Sequence, residues 1–340
     1  MKFGISTLLF ITIYACNPSA DNGLRLKLNP KKNKFSWGDS ISFVVDNKKN
    51  KSLEDLRYYL DDQPIDARHL FSNERLGNHQ LRVEGQVDGK PFQLKKTISL
   101  LADEAPKLYT YKILNTFPHD KAAYTQGLEF FGESLYESTG LKGQSSLRKV
   151  KYTSGEVEVL KPLANEYFGE GITLLNNQIY QLTWLSNIGF IYDLERMEMS
   201  GKFNYGASKQ GWGLCNDGAK IYKSDGTNRI YILDSSDLSE VDYIEVMTHK
   251  NALAKINELE WHDGKIYANT YQFQKEVAVI IDPTSGKVEG VIDFSGLKEQ
   301  VEQHEKLDVL NGIAYHAGRK SFFVTGKNWS LMFEVEIFEK

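Results

Sequence analysis

Apolar and polar residues alternate in short runs along most of the chain, and turn-forming residues interrupt them every few positions. Near the N-terminus, Leu24, Leu26 and Leu28 fall on one side of an extended segment and Arg25 and Lys27 on the other. Similar runs cover 41–45, 80–83 and 92–100, set apart by Gly38-Asp39, Asn47, Gly77-Asn78 and Asp88-Gly89. A period of two marks a strand with one buried face, and several short strands with regular turns mark a small sandwich. Residues 24–102 are therefore expected to form an immunoglobulin-like β-sandwich module. Ala102-Asp103-Glu104-Ala105-Pro106 reads as a linker.

From 107 to 340 the alternation gains a longer period. Five copies of one pattern start at Gly127, Gly171, Gly213, Glu258 and Gly312, spaced 44, 42, 45 and 54 residues apart. Each is a strand, a tight turn such as Asn176-Asn177, Asp217-Gly218 or Asp263-Gly264, and a second strand with an apolar–Tyr or aromatic pair. Such turns supply the positive φ that hairpins need. A second strand–turn–strand element follows in most copies, as at Val150, Ile191, Ile232 and Ile281, with Leu331 opening the last. Two hairpins per repeat make four strands, and four-stranded units of about 40–50 residues are propeller blades. The expectation is an all-β chain whose residues 107–340 form a five-bladed β-propeller. Five hairpins in a sandwich would explain the alternation but not the spacing. The extra length of the last interval lies in 293–308, a charged stretch expected to hold a helical insertion beginning at Leu297.

Composition narrows the class. The chain has 340 residues, 41% apolar and 25% charged, which suits about two globular domains. Lys and Arg number 41 and Asp and Glu 45, so the net charge is 41 − 45 = −4. That balance gives no electrostatic footprint for nucleic acid. There are two cysteines. Cys16 ends an apolar stretch, 3–15, led by Lys2, which has the shape of an export signal and is shorter than the roughly 20 residues of a membrane span. Ile13-Tyr14-Ala15-Cys16 resembles a bacterial lipobox, although Tyr14 is bulkier than that pattern prefers. Residues 1–16 are read as a lipoprotein signal peptide, Cys16 as the lipidated residue and 17–23 as a tether. The chain is then exported and lipid-anchored to a bacterial membrane, facing periplasm or cell surface. Cys215 is left without a disulfide partner and reads as a small buried residue.

The repeat also places chemistry. First strands of propeller blades surround a central axis, so equivalent residues form a ring. The residues before the five starts are Gln126, Glu170, Trp212, Asn257 and Asn311, none of them aliphatic. Thirteen to sixteen positions later come Thr139, Trp184, Asp225, Tyr271 and Lys327. Two such rings would gather carboxylates, a lysine, amides and aromatics at one concave mouth, the form of a binding site. Polar residues in turns need no function, which accounts for Asn257 and Asn311 more easily than for Trp184, Trp212 and a Glu/Lys pair.

Several ordered segments then resemble a known family: Phe117-Pro118-His119-Asp120, Tyr124-Thr125-Gln126-Gly127-Leu128, Phe168-Gly169-Glu170-Gly171, Gly211-Trp212-Gly213-Leu214, Ser224-Asp225-Gly226-Thr227, Asn257-Glu258-Leu259-Glu260, Leu310-Asn311-Gly312 and Val324-Thr325-Gly326-Lys327. The resemblance is to glutaminyl-peptide cyclotransferases of the plant and bacterial type, from about Tyr109 to the C-terminus. It implies a five-bladed propeller that converts N-terminal glutamine of peptides or proteins to pyroglutamate with release of ammonia. It puts the catalytic glutamate at Glu170 and pocket residues at Gln126, Phe168, Trp184, Trp212, Asn257 and Lys327. Tyr271 stands where the family commonly has Trp, and Tyr124 where it commonly has Phe. The segment before 107 is not covered.

Ring closure by that reaction needs a proton carrier and an oxyanion donor. Glu170 suits the first; Lys327, with an amide of Asn257 or Gln126, suits the second. Trp184, Trp212, Phe168 and Tyr271 would enclose the glutamine side chain. Each has a plainer reading: Glu170 and Lys327 as a structural ion pair, the tryptophans as core. Asn311 stands evenly between a structural cap and a substrate-binding residue. Asp225 reads as a turn residue and Arg148 as a partner of a blade carboxylate. No cofactor or metal is expected, since the seven histidines show no zinc-like spacing. A propeller needs no partner to close, so a monomer is expected. The rivals are a non-catalytic propeller binding peptides or glycans at the same mouth, and a metal-dependent lactonase.

Overall fold

The computed structural model describes residues 23–340. The expected signal peptide, Cys16 and nearly all of the expected tether lie outside the described residues. Within these bounds the regular elements are strands, apart from one short 3-10 turn at Lys298–Gln300. Contacts divide the chain into two compact units.

Among the described residues, the first unit comprises those up to Asn33 with Ser40–Leu70 and His79–Ile98. Leu24–Asn29 pairs antiparallel with Ser40–Asn47, which also pairs with Arg68–Leu70. Leu53–Leu60 pairs antiparallel with Gly77–Val87 and with Gln63–Ile65. Leu24 and Leu28 are buried and their charged neighbours exposed, as the alternation requires. Leu24 packs with Val87 and Phe92, and Val45, Leu53, Leu56 and Leu94 pack around them.

The second unit takes in Lys34–Asp39 and Phe71–Asn78 as well as Ser99–Lys340. Phe35 and Phe71, both buried, meet with ring centroids 5.4 Å apart. Leu76 N donates to Ser285 O at 2.9 Å, and Asn78 N to the Glu245 carboxylate at 2.6 Å. The stretch expected as a linker is also held: Ala102 N donates to Thr248 O, and Asp103 pairs with Lys287 at 2.7 Å.

The rest of this unit is a propeller-type arrangement of four-stranded antiparallel meanders. Three are separate sheets, opening with Thr125–Phe131, Gly169–Leu175 and Leu214–Asn216. An eight-stranded sheet holds two further meanders, one opening with Ile256–His262 and the other containing Leu310–His316. They join where Gly290 to Ile292 runs parallel to Lys107 to Tyr109. The last meander has only three strands from the C-terminal end of the chain. Its fourth is Lys107–Pro118, paired antiparallel with Leu331–Glu339 along nearly its whole length. The strands that open the meanders touch their neighbours in a closed cycle, and Thr125–Phe131 also touches Ile256–His262 across it.

That cycle explains the glycines at the repeat starts. A Cβ on Gly213 would fall 2.1 Å from Asn257 O, so any side chain would drive neighbouring strands apart. In the fourth copy Glu258 replaces glycine, and its carboxylate accepts Ile313 N at 3.0 Å. Between the sheets lie buried Ile, Leu, Val and Phe clusters. Each such side chain contributes about 1.5–3 kcal/mol on burial.

Two local expectations need correction. Asn176-Asn177 and Asp263-Gly264 take positive φ at both positions, but at Asp217-Gly218 only the glycine does. There the Asp217 carboxylate instead accepts Ala219 N and Lys220 N, fixing the loop from its side chain. The helical insertion at 297 is a single 3-10 turn without a side-chain cap, and Val301 is already extended. Leu297 and Val301 are spent on the core beside Phe294. The Gln303 side chain bonds Lys298 O and Val301 O, taking carbonyls that a continuing helix would need.

Candidate active site

The first-ring residues sit on irregular backbone. Strand register slips between Thr125 and Gly127, Gly169 and Ile172, Ile256 and Leu259, and Leu310 and Ile313. Gln126, Glu170, Asn257 and Asn311 occupy those slips. A bulge re-aims a side chain without ending the strand. In the third sheet, Trp212 lies just before the strand that opens at Leu214. Gly171 N donates to Trp212 O at 2.7 Å and locks the second and third positions together.

These bulges feed a cavity of about 190 Å³ lined by Tyr124, Gln126, Phe168, Glu170, Trp184, Trp212, Asn257, Tyr271 and Lys327. It is smaller than the about 300–1,000 Å³ of pockets for drug-sized ligands, so it suits one residue. Gln126, Glu170, Asn257 and Lys327 are buried and form its polar part; the aromatic residues are half-buried. Phe168 meets Trp184 edge-on at 5.5 Å, and Trp212 meets Tyr271 at 5.9 Å.

The polar part is unusual in what it leaves unused. Glu170 makes no ion pair or hydrogen bond through its carboxyl among the described residues, and burial pushes that group well above the usual carboxylate range. The charge of Lys327 opposes the shift. The Lys327 ammonium also lacks a hydrogen-bond partner among the described residues, although the residue's backbone N donates to Val309 O. Burial lowers its affinity for a proton, against the pull of Glu170 and Asp308. Its ammonium lies 4.8 Å from the centre of the Tyr124 ring and 4.9 Å from that of Tyr271. Two aromatic faces partly replace lost water. Asn257 Oδ1 is buried without a partner. Buried polar groups are ordinarily satisfied, so three incomplete ones around one cavity mark a ligand site.

Other residues hold the walls. Gln210 Oε1 accepts both indole N–H groups, from Trp184 at 2.8 Å and Trp212 at 2.9 Å. Gly226, at φ +80°, passes so close to Trp212 that a Cβ would lie 2.5 Å from the indole. Asp225 accepts Thr227 N and its hydroxyl, a local turn, and does not reach the cavity. Tyr124 donates to Asp308 at 2.9 Å. Behind it, His119 bridges Trp329 O and Glu137, while Arg148 binds Asp120 at 2.8 Å. Glu137 also accepts Thr125 Oγ1, which steadies the strand that carries Gln126.

Eight of the nine residues expected to catalyse or bind substrate line the cavity. Asn311 does not: it is fully buried, and its amide donates to Thr125 O and Gln126 Oε1 at 2.9 and 3.2 Å. It orients Gln126 from behind. Thr139 is likewise buried away, bonded to Ser146. Tyr124 is an added lining residue, visible in the sequence only as a departure from the family pattern. Gln210 carried no such signal. Cys215 sits in the core of the third and fourth sheets, its thiol pushed up by burial and nearby glutamates. No cluster of three or more His, Cys, Asp or Glu is poised for a metal among the described residues.

A propeller-type sheet arrangement carrying a small pocket of carboxyl, ammonium, amides and indoles defines a narrow class of protein. Residues 91–337 match the glutamine cyclotransferase family, and the chain belongs to it. A glutaminyl-peptide cyclotransferase of Arabidopsis thaliana is 37% identical over 238 residues, 69% of this chain and 73% of that protein. The crystal structure of Myxococcus xanthus glutaminyl cyclase superposes with a TM-score of 0.63 at 33% identity, over 69% of this chain and 99% of that one.

Proposed function

We propose that this chain is a glutaminyl-peptide cyclotransferase that closes an N-terminal glutamine into pyroglutamate and releases ammonia, with Glu170 as proton carrier. The observation that carries the reading is the pair of buried, unsatisfied ionisable groups, Glu170 and Lys327, on one residue-sized aromatic cavity. Family membership supports the substrate. The glutamine side chain lies between Trp184, Trp212, Phe168 and Tyr271, which hold the α-amine against the γ-carboxamide. Such positioning replaces a costly encounter. The neutral amine attacks the amide carbon, a C–N bond forms, and Glu170 takes the amine's proton. Lys327 and the amides of Gln126 and Asn257 stabilise the oxyanion. Glu170 then returns the proton to the leaving nitrogen, the old C–N bond breaks and ammonia departs. Protons balance with no water consumed.

The same reading takes the cyclic order of opening strands as five blades, and the first unit as an immunoglobulin-like module. It takes Cys16 as a lipid anchor holding an exported monomer at a bacterial membrane, and the propeller as the catalytic domain. Mass spectrometry on a Gln-led peptide tests the reaction. The expected product has lost one ammonia, while an N-acetylated control stays intact. An unchanged Gln-led peptide would overturn the reading.

Two smaller predictions follow from the geometry. Gln210→Ala frees both indoles and is expected to raise KM about threefold to tenfold with a smaller loss of kcat, as losing hydrogen bonds of about 1 kcal/mol implies. Steady-state kinetics check the split. The pH–rate profile is expected to be bell-shaped. On the acid side it falls as the substrate amine, near 7.7–8.0, and Glu170, above its usual range, gain protons. On the basic side it falls below the ordinary lysine value as Lys327 loses its charge.

A further inference from the structure

A second cavity, of about 540 Å³, adjoins the first across Tyr124, which lines both. Its other walls include Lys121, Leu141, Gln144, His304, Lys306 and Asn328. Two of these are lysines, and no carboxylate lines it. Lys121 shares its charge with Glu302 at 2.7 Å. Lys306 is exposed and has no carboxylate within ion-pair distance among the described residues. The His304 ring is fixed between backbone groups, with Nε2 facing Asn328 O and Nδ1 accepting Lys306 N. Asn328 is fixed in turn, its N donating to Ala123 O and its side chain to Lys121 O. The cavity is thus a firm, basic recess of ligand size.

The small pocket has room for one residue, yet the glutamine of a peptide carries a chain on its carbonyl. That chain has to leave the pocket. Resting on the cyclotransferase reading, we propose that the recess beside Tyr124 receives the residues following the N-terminal glutamine and selects acidic side chains among them. Lys306, which no carboxylate compensates, favours an acidic side chain, Lys121 adds a charge shared with Glu302, and an exposed pair of this kind is worth up to about fivefold.

The test compares glutaminamide, which fills only the small pocket, with C-terminally amidated Gln-Glu-Glu-Ala, Gln-Ala-Ala-Ala and Gln-Lys-Lys-Ala. The expected order of kcat/KM is acidic, neutral, basic, with about threefold to tenfold between the extremes at low salt and less at high salt. Lys306→Glu with Lys121→Glu is expected to flatten or reverse that order and leave glutaminamide unchanged. Equal rates for the three peptides, or an order unmoved by the double variant, would overturn the proposal. Calorimetric binding of the peptides to the Glu170→Gln chain reads the recess without turnover. An acidic preference in Kd there supports the proposal, and its absence overturns it. Failure of the unmutated chain to turn over glutaminamide counts against the cyclotransferase reading alone.

Discussion

Glu170→Gln is expected to lower kcat/KM for a Gln-led peptide by about 10²–10⁴-fold, the usual worth of general acid–base catalysis. It is also expected to leave the fold intact. The carboxyl is buried, makes no hydrogen bond among the described residues, and has its pKa raised by burial. A carboxyl whose folded-state pKa is raised costs stability as pH rises from its unfolded value towards its folded one. The neutral, near-isosteric amide removes that cost, so thermal stability at neutral pH should hold or rise. Activity and stability then move in opposite directions, as they do for a group kept for chemistry. A variant that unfolds, or one that keeps its rate, would assign Glu170 to structure.

Lys327→Met is expected to cost roughly 10²–10³ in kcat, the range for losing one oxyanion donor. Its ammonium is buried between the rings of Tyr124 and Tyr271 and forms no contact ion pair with Glu170 among the described residues. The plainer reading, a structural Glu170–Lys327 salt bridge, would require such a contact. Methionine keeps the stem's apolar packing and removes the charge. The Glu170 carboxyl, relieved of a positive neighbour, should titrate higher still. The acid limb of the pH–rate profile should therefore move up in this variant. Rates measured across pH for both chains would show it; an unmoved limb would separate the two groups.

Much of this site was legible because a repeat converts sequence spacing into geometry. Equivalent positions in five copies had to face one axis, which brought Gln126, Glu170, Trp212 and Asn257 together without a contact map. Spacing could not show that these positions are bulges, since a slip of register depends on the partner strand. Nor could it separate Asn311, which points behind Gln126, from its neighbours in the ring. Gln210 was hidden because its role is to join two tryptophans far apart in sequence. The strand at Lys107–Pro118 lies outside the repeat it completes, so the copy-by-copy reading left the last meander short. The helix expected near Leu297 failed because tertiary burial of Leu297 and Val301 outweighed a local period. The interleaving of Lys34–Asp39 and Phe71–Asn78 with the second unit rests on long-range hydrogen bonds that no local pattern encodes.

The most direct test is the initial rate of ammonia release from glutaminamide by the chain beginning after Cys16, set beside the spontaneous rate in the same buffer. The expected result is a large acceleration, one ammonia per pyroglutamyl product, proportional to protein concentration. Binding of glutaminamide with no acceleration would contradict it and make the aromatic mouth a recognition site alone.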